Sequence, residues 1–230
     1  MNKEYKRLVA HILDNGEEQD CRNGKQLIIP HYSFTLDFRK DMPMLTLRKM
    51  YYKGVEGEFN TLVSEEPLTN VSQFEANGCN YWKQWAGSNG ELNLDYANML
   101  KPQLRNVIES IKKDPTSRRH VIELWNYENL PDLSLPCCWH GLTFSVIGKT
   151  LHLKWVQRSV DTMIGLPADV CLAWLFMGLI ATKCNLDMGT CTFALSNVHI
   201  YDEHIENAKI LLTTRTSKDY NNPLAFELKS

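Results

Sequence analysis

The 230-residue chain has no low-complexity segment, no internal repeat and no linker rich in Gly, Ser or Pro. Without such seams, one domain over residues 1–230 is the expected organisation, long enough to bury its own core. Charge of a single sign is lacking too: 25 basic and 27 acidic residues leave a net −2. A near-neutral chain sets up no broad field for a polyanion, which argues against general nucleic-acid binding. Any phosphate it holds should be small and met by a few placed arginines. The opening stretch MNKEYKRLVAHILDNG scatters charge among its apolar positions and lacks the unbroken apolar core of a secretory signal, so a cytoplasmic setting is expected. The cysteines, Cys21, Cys79, Cys137, Cys138, Cys171, Cys184 and Cys191, are odd in number and form no C-x-x-C array. Neither a disulfide framework nor a structural metal is expected.

Periodicity places the elements. Tyr5, Leu8, Val9, Ile12 and Leu13 follow helical spacing, predicting an amphipathic helix over 3–14 that ends at Asn15-Gly16. Tyr32, Phe34, Leu36 and Phe38 alternate with polar residues, as do Leu142, Phe144 and Val146 before Gly148, and Leu151, Leu153 and Trp155 after it. Residues 141–157 therefore read as a β-hairpin. A further helix is predicted at 96–113, between the Gly90 turn and Asp114-Pro115. Residues 167–183, PADVCLAWLFMGLIATK, are apolar on every face, which marks a helix buried in the middle of the domain. A membrane span is the competing reading, disfavoured by the segment's shortness, by Asp169 near its start and by the lack of a second candidate. The fold class expected is α+β, a mostly antiparallel sheet packed on a central buried helix.

Candidate chemistry is scattered along the chain. Cys137-Cys138 follows Pro136 just before a strand; adjacent cysteines cannot easily pair, so one of them is a candidate nucleophile beside a default reading of two small buried residues. A thiolate needs nearby positive charge. Arg158, the pair Arg118-Arg119 and Arg22 are candidates, and three arginine clusters beside small polar residues could also grip a phosphate. His199 and Tyr201, in LSNVHIYDEH, would share one face of a strand, where they could clamp a sugar hydroxyl or be merely structural.

Together these stretches resemble a known family. LPCCWHGLTFSV, QRSVDTMIGLPADV and NVHIYDEH closely resemble the nucleophile loop, the Q-R-S-x-D-x-x-L-G-x-P-F-N segment and the H-x-Y segment of the thymidylate synthases, in the same order and spacing. DCRNG, DPTSRRHVIELWN and YWKQWAGSNGELNLDY extend the likeness over nearly the whole chain. The resemblance implies that Cys138 is the nucleophile, with Cys137 where proline is usual. It assigns Arg22, Arg158, Ser159 and Arg118-Arg119 to the nucleotide phosphate, the arginine pair being supplied by a second subunit of a homodimer. His199 and Tyr201 would hold the sugar 3′-hydroxyl. Glu58, with Glu56 as a close rival, would manage protons around the base, and Tyr96 would sit near the proton leaving the ring. Trp82, Trp85, Asp161, Gly165 and Leu166 would line the site of 5,10-methylenetetrahydrofolate, the co-substrate; no metal is implied.

The implied chemistry begins with attack of the Cys138 thiolate on C6 of a pyrimidine, which turns C5 into a carbon able to accept the one-carbon unit. The exocyclic methylene that follows takes either hydride, giving a methyl group, or water, giving a hydroxymethyl group. Asp169 occupies the position of the asparagine that reads the base. An amide suits uracil; a carboxyl that shares a proton with N3 and accepts from the 4-amino group suits cytosine. The chain also reaches Ser230 soon after NNPLAFEL without the long extension that helps seal the typical site; Trp139 and Ala168 replace a histidine and a phenylalanine. The expected activity is therefore that of a deoxycytidylate (dCMP) 5-hydroxymethyltransferase, of the kind viruses of bacteria use to make modified cytosine. A dCMP 5-methyltransferase, a CMP hydroxymethylase, a dUMP-using synthase and a non-catalytic nucleotide-binding dimer are the alternatives.

Overall fold

The computed structural model describes residues 1–41 and 43–214. Helix α1 (Asn2–Asn15) buries Tyr5, Leu8, Val9 and Ile12, the stripe that the spacing predicts. Each such side chain contributes roughly 1.5–3 kcal/mol when fully buried. The hairpin is β4 (Trp139–Ile147) and β5 (Thr150–Gln157), turning at Gly148 with φ +63°, a conformation that suits glycine. Strands β1 (Glu17–Cys21), β2 (Gly24–Asp37), β3 (Val121–Glu123), the two-residue β6 (Val160–Asp161) and β7 (Asp187–Tyr201) complete the sheet. Its order is β1-β2-β7-β5-β4-β3, with β6 also paired to β7.

Most pairings are antiparallel, but β5 and β6 run parallel to β7. A parallel pair needs a crossover, and α5 (Gly165–Cys184) supplies it. That helix starts two residues earlier than predicted and ends on Asn185 in the left-handed conformation, φ +55°. It is apolar and long enough to cross a membrane, yet it packs on α2 (Tyr52–Val63), α4 (Asp95–Lys113) and the sheet as a core helix. Phe34 stacks on Phe193, Trp155 lies against Phe193, and Trp139 bridges Trp155 and Phe176 of α5. The opposite sheet face, with Thr35, His152, Thr190, Thr192 and Ser196, stays at least partly exposed.

Helix α2, which carries Glu58, has no clear signal in the sequence, because Gly54 and Gly57 interrupt its helical spacing. Gly57 is required by packing: a Cβ there would come within 2.3 Å of the Asn77 carbonyl oxygen. The remaining helices are α3 (Ser72–Ala76) and α6 (Ile205–Thr213), with single 3₁₀ turns at Tyr81–Trp85, Leu130–Asp132 and Asp202–His204.

Candidate active site

Two cavities lie near the open end of the β4–β5 hairpin. The larger, about 370 Å³, is walled by α2, the Tyr81–Trp85 turn, the start of α4, the Leu135–Trp139 loop and the first turns of α5. The second, about 320 Å³, lies over the β1–β2 turn and the end of β7. Cys138 opens onto the first cavity and Ser159 onto the second. Arg158 joins them: its backbone N–H donates to the Cys138 carbonyl at 2.9 Å, and its guanidinium donates to the carbonyls of Cys137 and Pro136 at 2.8 and 3.1 Å. The guanidinium also lies over the Trp125 ring, 5.1 Å from its centre.

Of the adjacent cysteines, Cys137 is buried and points its Sγ at the Leu124 carbonyl, while Cys138 is the more open to the cavity. Burial pushes the Cys138 thiol up to about 11, the Asp169 carboxyl adds to the rise, and Arg158 opposes it. When Asp169 is neutral that repulsion vanishes, leaving Arg158 to favour the thiolate against a smaller opposing effect of Asp161. Cys137 is pushed up to about 12, again chiefly by burial.

Asp169 lies a full turn inside α5 and not in its first turn, because the helix begins at Gly165. The helix start is met instead by Asp161, whose Oδ1 accepts the N–H groups of Met163 and Ile164 at 3.0 Å each. Asp169 is sunk among the cavity walls, and burial, reinforced by the charge of Glu58, raises its pKa well above the ordinary carboxylate range. Its Oδ2 accepts from Gln157 Nε2 at 2.6 Å, which opposes the rise without cancelling it. Burial therefore favours the uncharged form of this carboxyl.

Glu58 is 7% exposed, and burial lifts its pKa from 4.5 to about 7. Tyr81 donates its phenol proton to Oε2, and Trp82 donates its indole N–H to Oε1 at 3.1 Å. Both bonds favour the carboxylate and are outweighed. Glu56 does not line the cavity. Trp82 stacks on Phe74 with ring centres 5.1 Å apart and touches Trp85 at 5.2 Å. With Tyr51, Val55 and Ile164 they form a flat, largely apolar slot beside Glu58, Tyr96, Cys138 and Asp169. Tyr96 is buried and holds its phenol proton, chiefly through burial.

The second cavity gathers Arg22, Arg158, Ser159, His199 and Tyr201. The Asn197 carbonyl accepts only, so His199 Nδ1 donates to it at 2.8 Å, and the buried Nε2 has no partner in the protein. His199 and Tyr201 do share a strand face, ring centres 4.9 Å apart. Three groups of residues lie apart from the cavities: Arg118 and Arg119 are exposed outside both, Leu166 is fully buried, and Asp161 is occupied at the helix start. Gly165 lines the larger cavity. The NNPLAFEL stretch and Ser230 lie outside the described residues.

A family model described as thymidylate synthase matches residues 3–227. The chain belongs to the thymidylate synthase family. Membership makes it a pyrimidine one-carbon transferase that uses methylenetetrahydrofolate and a nucleotide as small-molecule substrates. Sequence reading overlooked Arg48, Tyr81 and Asn197 at these cavities, and Gln157 buried behind Asp169. Gln157 had a signal, since alternation places this one polar side chain on the strand face that carries Leu151, Leu153 and Trp155.

Glu58 has a consequence for stability. A carboxyl whose pKa rises on folding stabilises the fold below its ordinary 4.5, and that contribution is lost as pH climbs through about 7. Glu58→Gln keeps a neutral group of the same shape. Its carbonyl faces the donor-only Trp82, and its amide faces the Tyr81 hydroxyl, which can accept. The variant should match wild type near pH 4.5 and become more stable than it by about 3 kcal/mol above pH 7. Denaturant melts across that range check this; a difference that stays flat with pH would show that Glu58 does not titrate there.

Proposed function

We propose that this single-domain protein is a deoxycytidylate 5-hydroxymethyltransferase working as a homodimer. The observation that carries the reading is Asp169, a carboxyl on the wall shared with Cys138, kept neutral by burial and held by Gln157. A neutral carboxyl offers one donor and one acceptor: O–H to the bare N3 of cytosine, C=O to its 4-amino group. A uracil in the same place would set its N3–H against that O–H and its O4 against that carbonyl, at about 1–3 kcal/mol per unsatisfied group.

The other residues take roles that fit this substrate. Arg22, Arg158 and Ser159 suit the phosphate, with Arg118 and Arg119 free to reach a partner's site. His199 Nε2 is aligned to accept from a sugar hydroxyl. The open sheet face, bare of helices among the described residues, is suited to pairing two copies. The aromatic slot formed by Trp82 and Trp85 fits a flat pterin, and bound 5,10-methylenetetrahydrofolate supplies the one-carbon unit there.

Cys138 Sγ bonds to C6 while the Asp169 proton moves toward N3, so the electron pair of the C5–C6 double bond becomes available at C5. After transfer, a base takes the C5 proton, Tyr96 and Glu58 facing that side of the cavity; the pair left at C5 forms the exocyclic double bond and breaks the bond to the folate nitrogen, which receives the proton just removed and leaves as tetrahydrofolate. The methylene left on C5 then accepts water: oxygen bonds to the methylene carbon, the displaced pair runs through C5 and C4 to N3, which takes the Asp169 proton, and the water proton goes to Glu58. Return of that pair from N3, with its proton back to Asp169, re-forms the C5–C6 double bond and expels the Cys138 thiolate. Ala168 lines this wall with a small side chain, and the Glu58–Tyr81 pair gives it a polar edge, both of which support a water acceptor. The fate of the folate tests this step. Turnover with dCMP should release tetrahydrofolate; stoichiometric dihydrofolate would replace the hydroxymethyl reading with methyl transfer.

A further inference from the structure

Gln157 is 1% exposed in a layer of apolar side chains, and its amide has an accepting end and a donating end. Trp155 decides which end points where. Its Nε1 lies 3.0 Å from Gln157 Oε1, and an indole N–H can only donate, so the amide oxygen must face the indole. The amide NH₂ is thereby turned toward Asp169, 2.6 Å from Oδ2. Oδ2 is made the acceptor of the carboxyl, and Oδ1 is left as the oxygen that carries a proton. Trp155 cannot swing aside: it is fully buried, with Trp139 at 4.8 Å and Phe193 at 6.4 Å between ring centres.

We propose that Trp155 is a specificity-positioning residue: its indole N–H, acting through Gln157, dictates which Asp169 oxygen donates and which accepts, and so locks the pocket to the cytosine edge. The inference rests on the cytidylate reading of Asp169. In this proposal Oδ1 lies against N3 and Oδ2 against the 4-amino group of a ring held by its bond to Cys138 and by its phosphate. Were Gln157 to turn over, its carbonyl would take the carboxyl proton on Oδ2. A bare Oδ1 would then oppose N3 of cytosine but accept the N3–H of uracil. Trp155 forbids that turn, because the amide NH₂ would meet the indole N–H donor to donor in a buried site.

The test is Trp155→Phe in the full chain, alone and with Asp169→Asn, reading kcat/KM for dCMP and for dUMP with methylenetetrahydrofolate. Trp155→Phe alone should lower the dCMP:dUMP ratio by at least about 10-fold, mostly through the KM for dCMP. An asparagine at 169 must turn its oxygen toward the locked Gln157 and so keeps the cytosine pattern. Releasing the lock in that background should therefore raise kcat/KM for dUMP by at least about 10-fold, a gain that loss of packing alone would not produce. Where Trp155→Phe does not fold, site-specific replacement of Trp155 by 3-benzothienylalanine keeps the ring shape without the N–H and decides the matter. Wild-type preference for dCMP with an unchanged ratio and no dUMP gain in the variants overturns the role of Trp155. A wild type without preference for dCMP overturns the reading of Asp169 instead.

Discussion

Cys138→Ala is expected to lower one-carbon transfer by at least about a thousand-fold, because without a sulfur at C6 the pyrimidine C5 has no route to nucleophilic character. Nucleotide binding should survive within a few-fold, since the proposed grip on phosphate and sugar comes from Arg22, Arg158, Ser159 and His199, which line the other cavity. Cys137→Ala makes the contrast. Its Sγ is buried against the Leu124 carbonyl, so the loss is one of packing, on the order of 1 kcal/mol of stability, with turnover kept within about ten-fold. A 5-fluorinated deoxycytidylate with the folate should trap a covalent adduct at Cys138, located by peptide mass spectrometry in wild type and in Cys137→Ala. An adduct on Cys137, or full activity in Cys138→Ala, would reverse the assignment of the two thiols.

Asp169→Asn is expected to reduce kcat/KM for dCMP by at least about 100-fold. The amide can still hydrogen-bond to N3 but has no proton to share with it, so C6 loses its activation while Cys138 attacks. The dCMP:dUMP ratio should move toward dUMP mainly because dCMP falls, Gln157 still holding the new side chain in its old pattern. The variant should also be no less stable than wild type at neutral pH, since a buried, raised-pKa acid gives way to a permanently neutral group. Steady-state kinetics with each nucleotide decide it. An unchanged ratio and rate would return Asp169 to a plain helix residue.

Both expectations trace to residues legible in the chain, and the fold shows why some were easier to read than others. The α1 stripe, the hairpin turning at Gly148 and the all-apolar α5 declare themselves because burial on one face, or on every face, imposes its own period. Helix α2 stayed hidden since Gly54 and Gly57 serve close packing at the expense of helix propensity. The parallel pairing of β5 with β7 is a tertiary fact that no local period carries. Among the site residues, the motifs carried Cys138, Arg158, His199 and Asp169, but not the environment that gives Asp169 its proton. That proton is favoured by depth and by the charge of Glu58 and opposed by the Gln157 hydrogen bond, a balance of groups on three separate elements. Tyr81 was invisible for the same reason: only the fold of α2 against the Tyr81–Trp85 turn puts its hydroxyl on Glu58. The start of α5 was expected two residues too late because the helix begins at Gly165, ahead of the proline that marks a usual beginning.

The central claim is that a neutral Asp169 selects a cytidylate for one-carbon transfer at C5. The most direct measurement gives purified protein an equimolar mixture of dCMP and dUMP with methylenetetrahydrofolate and reads the product masses. The account predicts 5-hydroxymethyl-dCMP with dUMP left untouched; consumption of dUMP to a C5-modified product while dCMP persists would contradict it.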